Sequence, residues 1–312
     1  GNICPISLAG KLVSEMGTPT MYILQVESAG DTPTIDEYKA ALTNHASFVT
    51  GAWRIVPCDL DNAVNLAIKE HVELMSSYEE RQERSAIFGY KPTVEYVDFV
   101  SVLTNLGNYT SSTMANSRIT VPYPDSATKL LSDGEYYTLG APFISAAYAG
   151  LEASLPVQQS KTRQTLNCFD QLLGVKMTRS QKTSLAEKGV MVLEQPDGPG
   201  TDIFIRHQLT TNMSTVESRE NSIIAIKDYV SMYLRDICKQ YIGKYNITGE
   251  TIARIKASLD SGIYNLKRDG VILEGSISNI AQDPENLDSL LVSGQIKPPY
   301  PCNYIDIVLL LD

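Results

Sequence analysis

The residue types that could do chemistry are few, and their spacing does not suit it. Three histidines occur, His45, His71 and His207, none with a second histidine at metal-ligand spacing, and there is no H-E-x-x-H. Each reads as a structural or exposed side chain. No G-x-x-x-x-G-K-[ST] loop and no G-x-G-x-x-G follows an expected strand, so a phosphate-binding turn is missing. There is no G-x-S-x-G nucleophile elbow. Asp197, Asp202, Glu217 and Glu220 could be imagined around a metal ion, but their spacing matches no calcium loop, and acids are common in loops and at helix starts. The five cysteines (Cys4, Cys58, Cys168, Cys238 and Cys302) form no C-x-x-C pair, which argues against zinc. They read as buried or half-buried free thiols in a reducing compartment. No catalytic, cofactor-binding or metal-binding residue is expected.

One segment imitates a site. Ser111-Ser-Thr-Met-Ala-Asn116 resembles the serine motif of subtilisin-like proteases. Such chemistry needs a nucleophile, a base that takes its proton and an acid that orients the base. His45 and His71 both fall inside expected helices, and Asp59 and Asp61 read as helix-start acids. An α/β hydrolase or nucleotide-binding enzyme is therefore the competing reading of the fold class, with a self-contained, non-polymerising binding module as a third.

The elements that would carry any site alternate. Strands are expected at 20–28, 53–57, 86–90 and 118–123, separated by helices at 34–46, 59–84 and 94–106 and followed by one at 142–153. Thr34 and Glu37 form a T-x-x-E capping box at the first of these helices. This alternation implies a doubly wound α/β domain with a mostly parallel sheet. Residues 156–183 read as a polar connecting segment. Beyond them come strands at 189–194 and 202–209. A helix over 218–241 carries the apolar stripe Ile223, Ile226, Val230, Leu234, Ile237 and Tyr241. A second helix at 248–266 and a strand at 271–280 complete a smaller α+β domain. The expected boundary lies at 183/184, giving domains 1–183 and 184–312.

Composition bounds the partners. The formal net charge is −10 and no Lys/Arg cluster makes a basic face, so direct nucleic-acid binding is not expected. No apolar run approaches the ~18 residues of a membrane span, and no charged-then-apolar leader opens the chain.

The remaining signal is the last one. Asn303, Tyr304, Ile305, Asp306, Ile307, Val308, Leu309, Leu310 and Leu311 form a strand pattern behind a proline-rich lead-in, Lys297-Pro-Pro-Tyr-Pro301. An apolar strand of this kind is either buried in its own sheet or covered by another, since a bare one invites aggregation.

The order of segments then resembles the tail sheath proteins of contractile-tailed phages and related contractile injection systems. The residues that carry the likeness are Gly150-Leu-Glu-Ala, Lys188-Gly-Val-Met-Val-Leu193, Asp202-Ile-Phe-Ile-Arg-His-Gln-Leu-Thr-Thr211, Ile226-Lys-Asp-Tyr-Val230, Gly270-Val-Ile-Leu and Asn303-Tyr-Ile-Asp-Ile-Val. The resemblance implies an α/β domain called subtilisin-like for its fold alone, and a structural role without cofactor. It implies copies of the chain stacked as rings or a helical tube around a tail tube, with baseplate partners, in a virion tail assembled in the host cytoplasm. It also implies that arms from neighbours add strands to each C-terminal domain, with 303–311 as the donated strand. The chain opens on Gly1 close to its first expected strand, so a full N-terminal arm is not expected.

Overall fold

The computed structural model describes residues 4–17, 20–30, 32–51, 53–196, 201–305, 307 and 309. The chain folds as two compact units, Gly1–Pro156 with Ser160–Asn221, and Val157–Gln159 with Ser222–Asp312.

In the first unit β1 (Arg54–Ile55), β2 (Ser85–Ile87) and β3 (Ile119–Thr120) pair in parallel in that order. Two residues beyond β3, β4 (Pro122–Tyr123) pairs in parallel with β8 (Met191–Glu194), and β9 (Phe204–Ile205) closes the far side antiparallel. The strands are short, and β2, β3, β4 and β9 are buried throughout, as central strands are. Strands β4, β8 and β9 form their own three-stranded sheet within the first unit, and the two units part at Asn221/Ser222 and not at 183/184.

Helices cover both faces. On one, α3 (Asn62–Met75) lays Val64, Ile68 and Val72 on the sheet, beside Val102 of α4 (Phe99–Val102), Leu106 of the π-helical turns that follow it, and Leu185 of α6 (Arg179–Ala186). Thr34 and Glu37 form the expected capping box of α2 (Ile35–Asn44). On the other face α1 (Pro5–Glu15) and α5 (Ala141–Ser154) bring Leu8, Leu12, Ile144 and Tyr148 against Ile87, Met191 and Leu193. They cross at Gly150, where a Cβ would lie 2.8 Å from the Val13 carbonyl oxygen. A second sheet, order β6-β5-β7, is built from β5 (Ser126–Leu130), β6 (Tyr136–Gly140) and β7 (Gln171–Leu173).

Several expectations are corrected. Residues 20–28 form no strand among the described residues, and Met21, Tyr22, Ile23 and Leu24 are exposed. Strand composition needs a ladder partner, and none is supplied there. The helix after Asp61 stops at Met75, because 77–84 offers no apolar face to bury. The 94–106 helix is one α-turn continued by π-helical turns. The polar stretch 156–183 holds β7 and α6, and 202–209 keeps only β9 as a strand.

After the short α7 (Val216–Arg219), α8 (Asn221–Lys239) begins where the chain enters the second unit. Its stripe packs as the spacing predicts, with Ile226, Val230, Leu234 and Ile237 against Ile255, Leu259 and Ile263 of α9 (Gly249–Arg268). Thr248 caps α9 by accepting from the Thr251 amide. The strand expected at 271–280 is β10 (Glu274–Gln282), and it pairs antiparallel with β11 (Leu290–Lys297), which was not anticipated. No helix among the described residues is long and apolar enough to cross a membrane.

Candidate functional site

The serine-rich imitation of a site comes apart in three dimensions. Ser111 and Ser112 lie in a π-helical turn, where their hydroxyls donate to the carbonyls of Gly107 and Asn108 at 2.7 and 2.5 Å. Lys69 and Glu73 of α3 reach this segment, Nζ to the Thr113 carbonyl at 3.0 Å and Oε1 from Asn116 Nδ2 at 2.6 Å. His71 lies between them in sequence, and so projects from another face of the helix. Its Nε2 meets Arg84 Nη1 at 2.9 Å. Asp61 accepts from the Ala63 amide as a helix cap, and Asp59 accepts from the Tyr38 hydroxyl at 3.2 Å. Nucleophile, base and acid are not assembled.

Beside cationic Arg84, His71 is held neutral with Nε2 as the acceptor. Burial, then the Arg84 charge, pulls its pKa from the usual 6.5 down to about 4. The unfolded chain therefore binds a proton that the folded chain refuses between pH 6.5 and 4, so stability falls as pH falls through that window. The expected loss between pH 7 and 4.5 from this residue is about 2 kcal/mol. Urea unfolding at both pH values checks it. In His71→Gln, whose amide oxygen can still accept from Arg84, the drop should shrink by that amount.

The carboxyl ends of the parallel strands are where α/β folds usually carry chemistry. Here their polar groups tie loops together. The Asn62 amide donates to the Lys91 carbonyl at 2.8 Å and accepts from its amide at 3.0 Å. Asn65, fully buried, donates to the Gly89 carbonyl at 2.8 Å, and the Tyr123 hydroxyl accepts from the Val175 amide at 3.1 Å. Burial pushes the Asp125 carboxyl above its usual range.

A buried charged cluster, invisible in the sequence, forms near the end of α5. Arg54 grips Glu152 through two bonds, Nε to Oε2 at 2.5 Å and Nη2 to Oε1 at 2.8 Å. Lys161 Nζ stands 3.9 Å from the same carboxylate, and both side chains are nearly inaccessible. Burial pushes Glu152 up, but Arg54, Lys161 and an Asn221 hydrogen bond outweigh it and hold the carboxyl below its usual range. Burial lowers Lys161 to about 8, against the pull of Glu152. Glu220 meets His207 Nε2 at 2.6 Å and accepts from Gln208 Nε2 at 3.3 Å.

Glu220 is thus engaged in the core, and Asp197 lies outside the described residues. No group of three or more His, Cys, Asp or Glu side chains is arranged to hold a metal ion among the described residues. Cys4, Cys58 and Cys302 are exposed, against the expectation of burial, while Cys168 is buried and Cys238 half-buried.

The ribbon of β10 and β11 has an open outer edge on each strand among the described residues. The α9 side chains Ile263 and Leu266 cluster with Ile277 of β10, whereas β11 is exposed from Leu291 to Gln295. Residues 303–305, 307 and 309 have no strand pairing, and Tyr304, Ile305, Ile307 and Leu309 are 72%, 78%, 77% and 84% exposed. Asp306, Val308, Leu310 and Leu311 of the expected strand lie outside the described residues.

Comparison with known proteins concerns the chain as a whole. No protein-family model matches the chain. The tail sheath protein of Mycobacterium phage Bxz1 is 25% identical over 318 residues, covering 98% of this chain and 51% of that protein. The chain therefore spans about half the length of this curated relative. A chain of the anti-feeding prophage baseplate superposes with a TM-score of 0.73 at 14% identity, over 100% of this chain and 82% of the other. The sheath tail protein of Listeria innocua superposes with a TM-score of 0.64 at 15% identity, over 86% and 57%. The resemblance to contractile tail sheath proteins drawn from segment order holds in sequence and in fold.

Proposed function

We propose that this chain is a structural subunit of a contractile tail sheath, which polymerises around a tail tube and contracts to drive the tube through a host envelope. The observation that carries this reading is the likeness to a phage tail sheath protein along 98% of the chain. The first unit serves as the inner domain, subtilisin-like and doubly wound in fold but not proteolytic. Its parallel strands β1, β2 and β3, with helices on both faces, support that description. The subunit works by mechanical re-packing of many contacts, without a catalytic centre or cofactor.

Copies of the chain join through a heterologous, non-closing contact, which generates stacked rings or a helical tube. In this reading 303–311 adds as a strand to a neighbour's β10–β11 ribbon. The edge of β11 suits it better, because α9 already packs on β10 and Leu291 and Val292 beside that edge are exposed. Strand addition supplies main-chain hydrogen bonds and side-chain register through one element. Tail tube and baseplate proteins are the further partners, and the assembled location is the virion tail, built in the host cytoplasm. Neither nucleic acid nor membrane is bound directly.

Electron microscopy of the purified chain tests the proposal. Long hollow tubes are the expected result. A monodisperse monomer at every concentration tried would remove the polymerising role.

A further inference from the structure

The chain passes between its two compact units at three places, 156/157, 159/160 and 221/222. These crossings are separated in sequence by up to about 60 residues, yet each is flanked by a member of the buried charged cluster. Glu152 stands near the end of α5, just before the first crossing. Lys161 follows the second, and Glu220 and Asn221 precede the third.

The bonds among these residues run from one crossing to the next. Glu152 holds Lys161 by charge at 3.9 Å and takes a hydrogen bond from the Asn221 side chain, so it links the first crossing to the other two. Gln208, fully buried, links the second to the third with one hydrogen bond to the former and two to the latter. Its Oε1 accepts from the Lys161 amide at 2.9 Å, its Nε2 donates to Glu220 at 3.3 Å, and its backbone carbonyl accepts from the Asn221 amide at 3.1 Å. Arg54 at the start of β1 fixes Glu152 through its two-pronged grip and thereby fastens the cluster to the central sheet.

Charge burial on this scale is a poor way to gain stability, because desolvation offsets most of the Coulomb attraction. Buried polar groups that hydrogen-bond one another do fix a unique local geometry. We propose that the Arg54–Glu152–Lys161–Gln208 cluster is an anchor that binds the three inter-unit crossings into one rigid block of the first unit. In the sheath reading, this block holds the chain firm where it leaves the first unit. The anchor itself is a property of the single chain and holds whether or not tubes form.

Hydrogen exchange on the unassembled full chain tests it. Glu152→Gln keeps the shape and removes the charge that Arg54 and Lys161 need. Amides at 155–162 and 219–223 are expected to exchange at least tenfold faster, with those of β8 and α3 unchanged. Lys161→Met, which leaves the Arg54–Glu152 pair intact, should accelerate the same segments. A uniform rise along the chain, or no rise at the crossings, overturns the proposal. So does failure of both variants to fold, since the cluster would then belong to the global core and not to a local joint.

Discussion

Changing Ile305 and Ile307 together to aspartate is expected to leave the folded chain intact and abolish its assembly into tubes. Both side chains are more than three-quarters exposed in the single chain. Substitution at such positions usually stays within about 0.5 kcal/mol of neutral. In a neighbour's sheet, residues 305, 307 and 309 share one face of the added strand. Burying two isoleucines there contributes about 2 kcal/mol each. Losing both weakens the contact by about 4 kcal/mol, roughly a thousandfold, before any cost of enclosing two carboxylates. Every subunit makes the contact once, so the polymer fails as a whole. The readouts are melting temperature for the fold and sedimentation with negative-stain microscopy for assembly, with Ile305→Val plus Ile307→Val as the tube-forming control. Tubes from the aspartate variant would show that the segment takes no part in the contact. A large fall in melting temperature would show that it packs within its own chain.

What the sequence disclosed and what it hid follow from the range of the interactions. Helix signals are local, and α2, α8 and α9 stand where the capping residues and apolar stripes put them. The short parallel strands were also legible, because each is an apolar run between helical stretches. The β5–β6 hairpin carries a local signal, Asp133-Gly134 between two alternating segments, with Gly134 at φ 85° in the turn. β11 is harder to see, since its residues are mostly exposed and its partner β10 supplies the reason it is a strand. At 20–28 the same logic runs in reverse: strand-forming residues without a partner stay out of any ladder.

The buried cluster was illegible for a different reason. Arg54 and Glu152 are 98 residues apart, and each alone looks like an ordinary surface charge. Only the fold brings them out of water together. The terminal segment is the opposite case, where composition speaks clearly but its described residues join no ladder of the single chain. On the proposed strand addition its role needs a second copy, which neither a sequence pattern nor one folded chain contains.

Gly189→Ala is expected to destabilise the first unit by about 3 kcal/mol, and the reason can be separated into two parts. Gly189 follows the end of α6, where its amide donates to the Ala186 carbonyl at 2.9 Å and its φ is 81°. A side chain in that left-handed conformation costs about 1 kcal/mol. The added Cβ would also lie 2.8 Å from both the Cα and the carbonyl oxygen of Thr211. Thr211 cannot easily retreat. Its amide donates to the Ile119 carbonyl at 2.9 Å, and its hydroxyl to that of Asn116 at 3.0 Å, beside β3. Nor can the chain at 188 shift freely, because Thr110 Oγ1 donates to the Lys188 carbonyl at 2.7 Å. Overpacking against fixed backbone adds about 2 kcal/mol. Gly134→Ala isolates the first part, since φ there is 85° and nothing stands within 4 Å of the new Cβ. Denaturant unfolding should place Gly134→Ala about 1 kcal/mol below the parent and Gly189→Ala about 2 kcal/mol lower still. Equal costs for the two would mean that the approach of Thr211 relaxes freely, and that the glycine in Lys188-Gly-Val is needed for its dihedral angle alone.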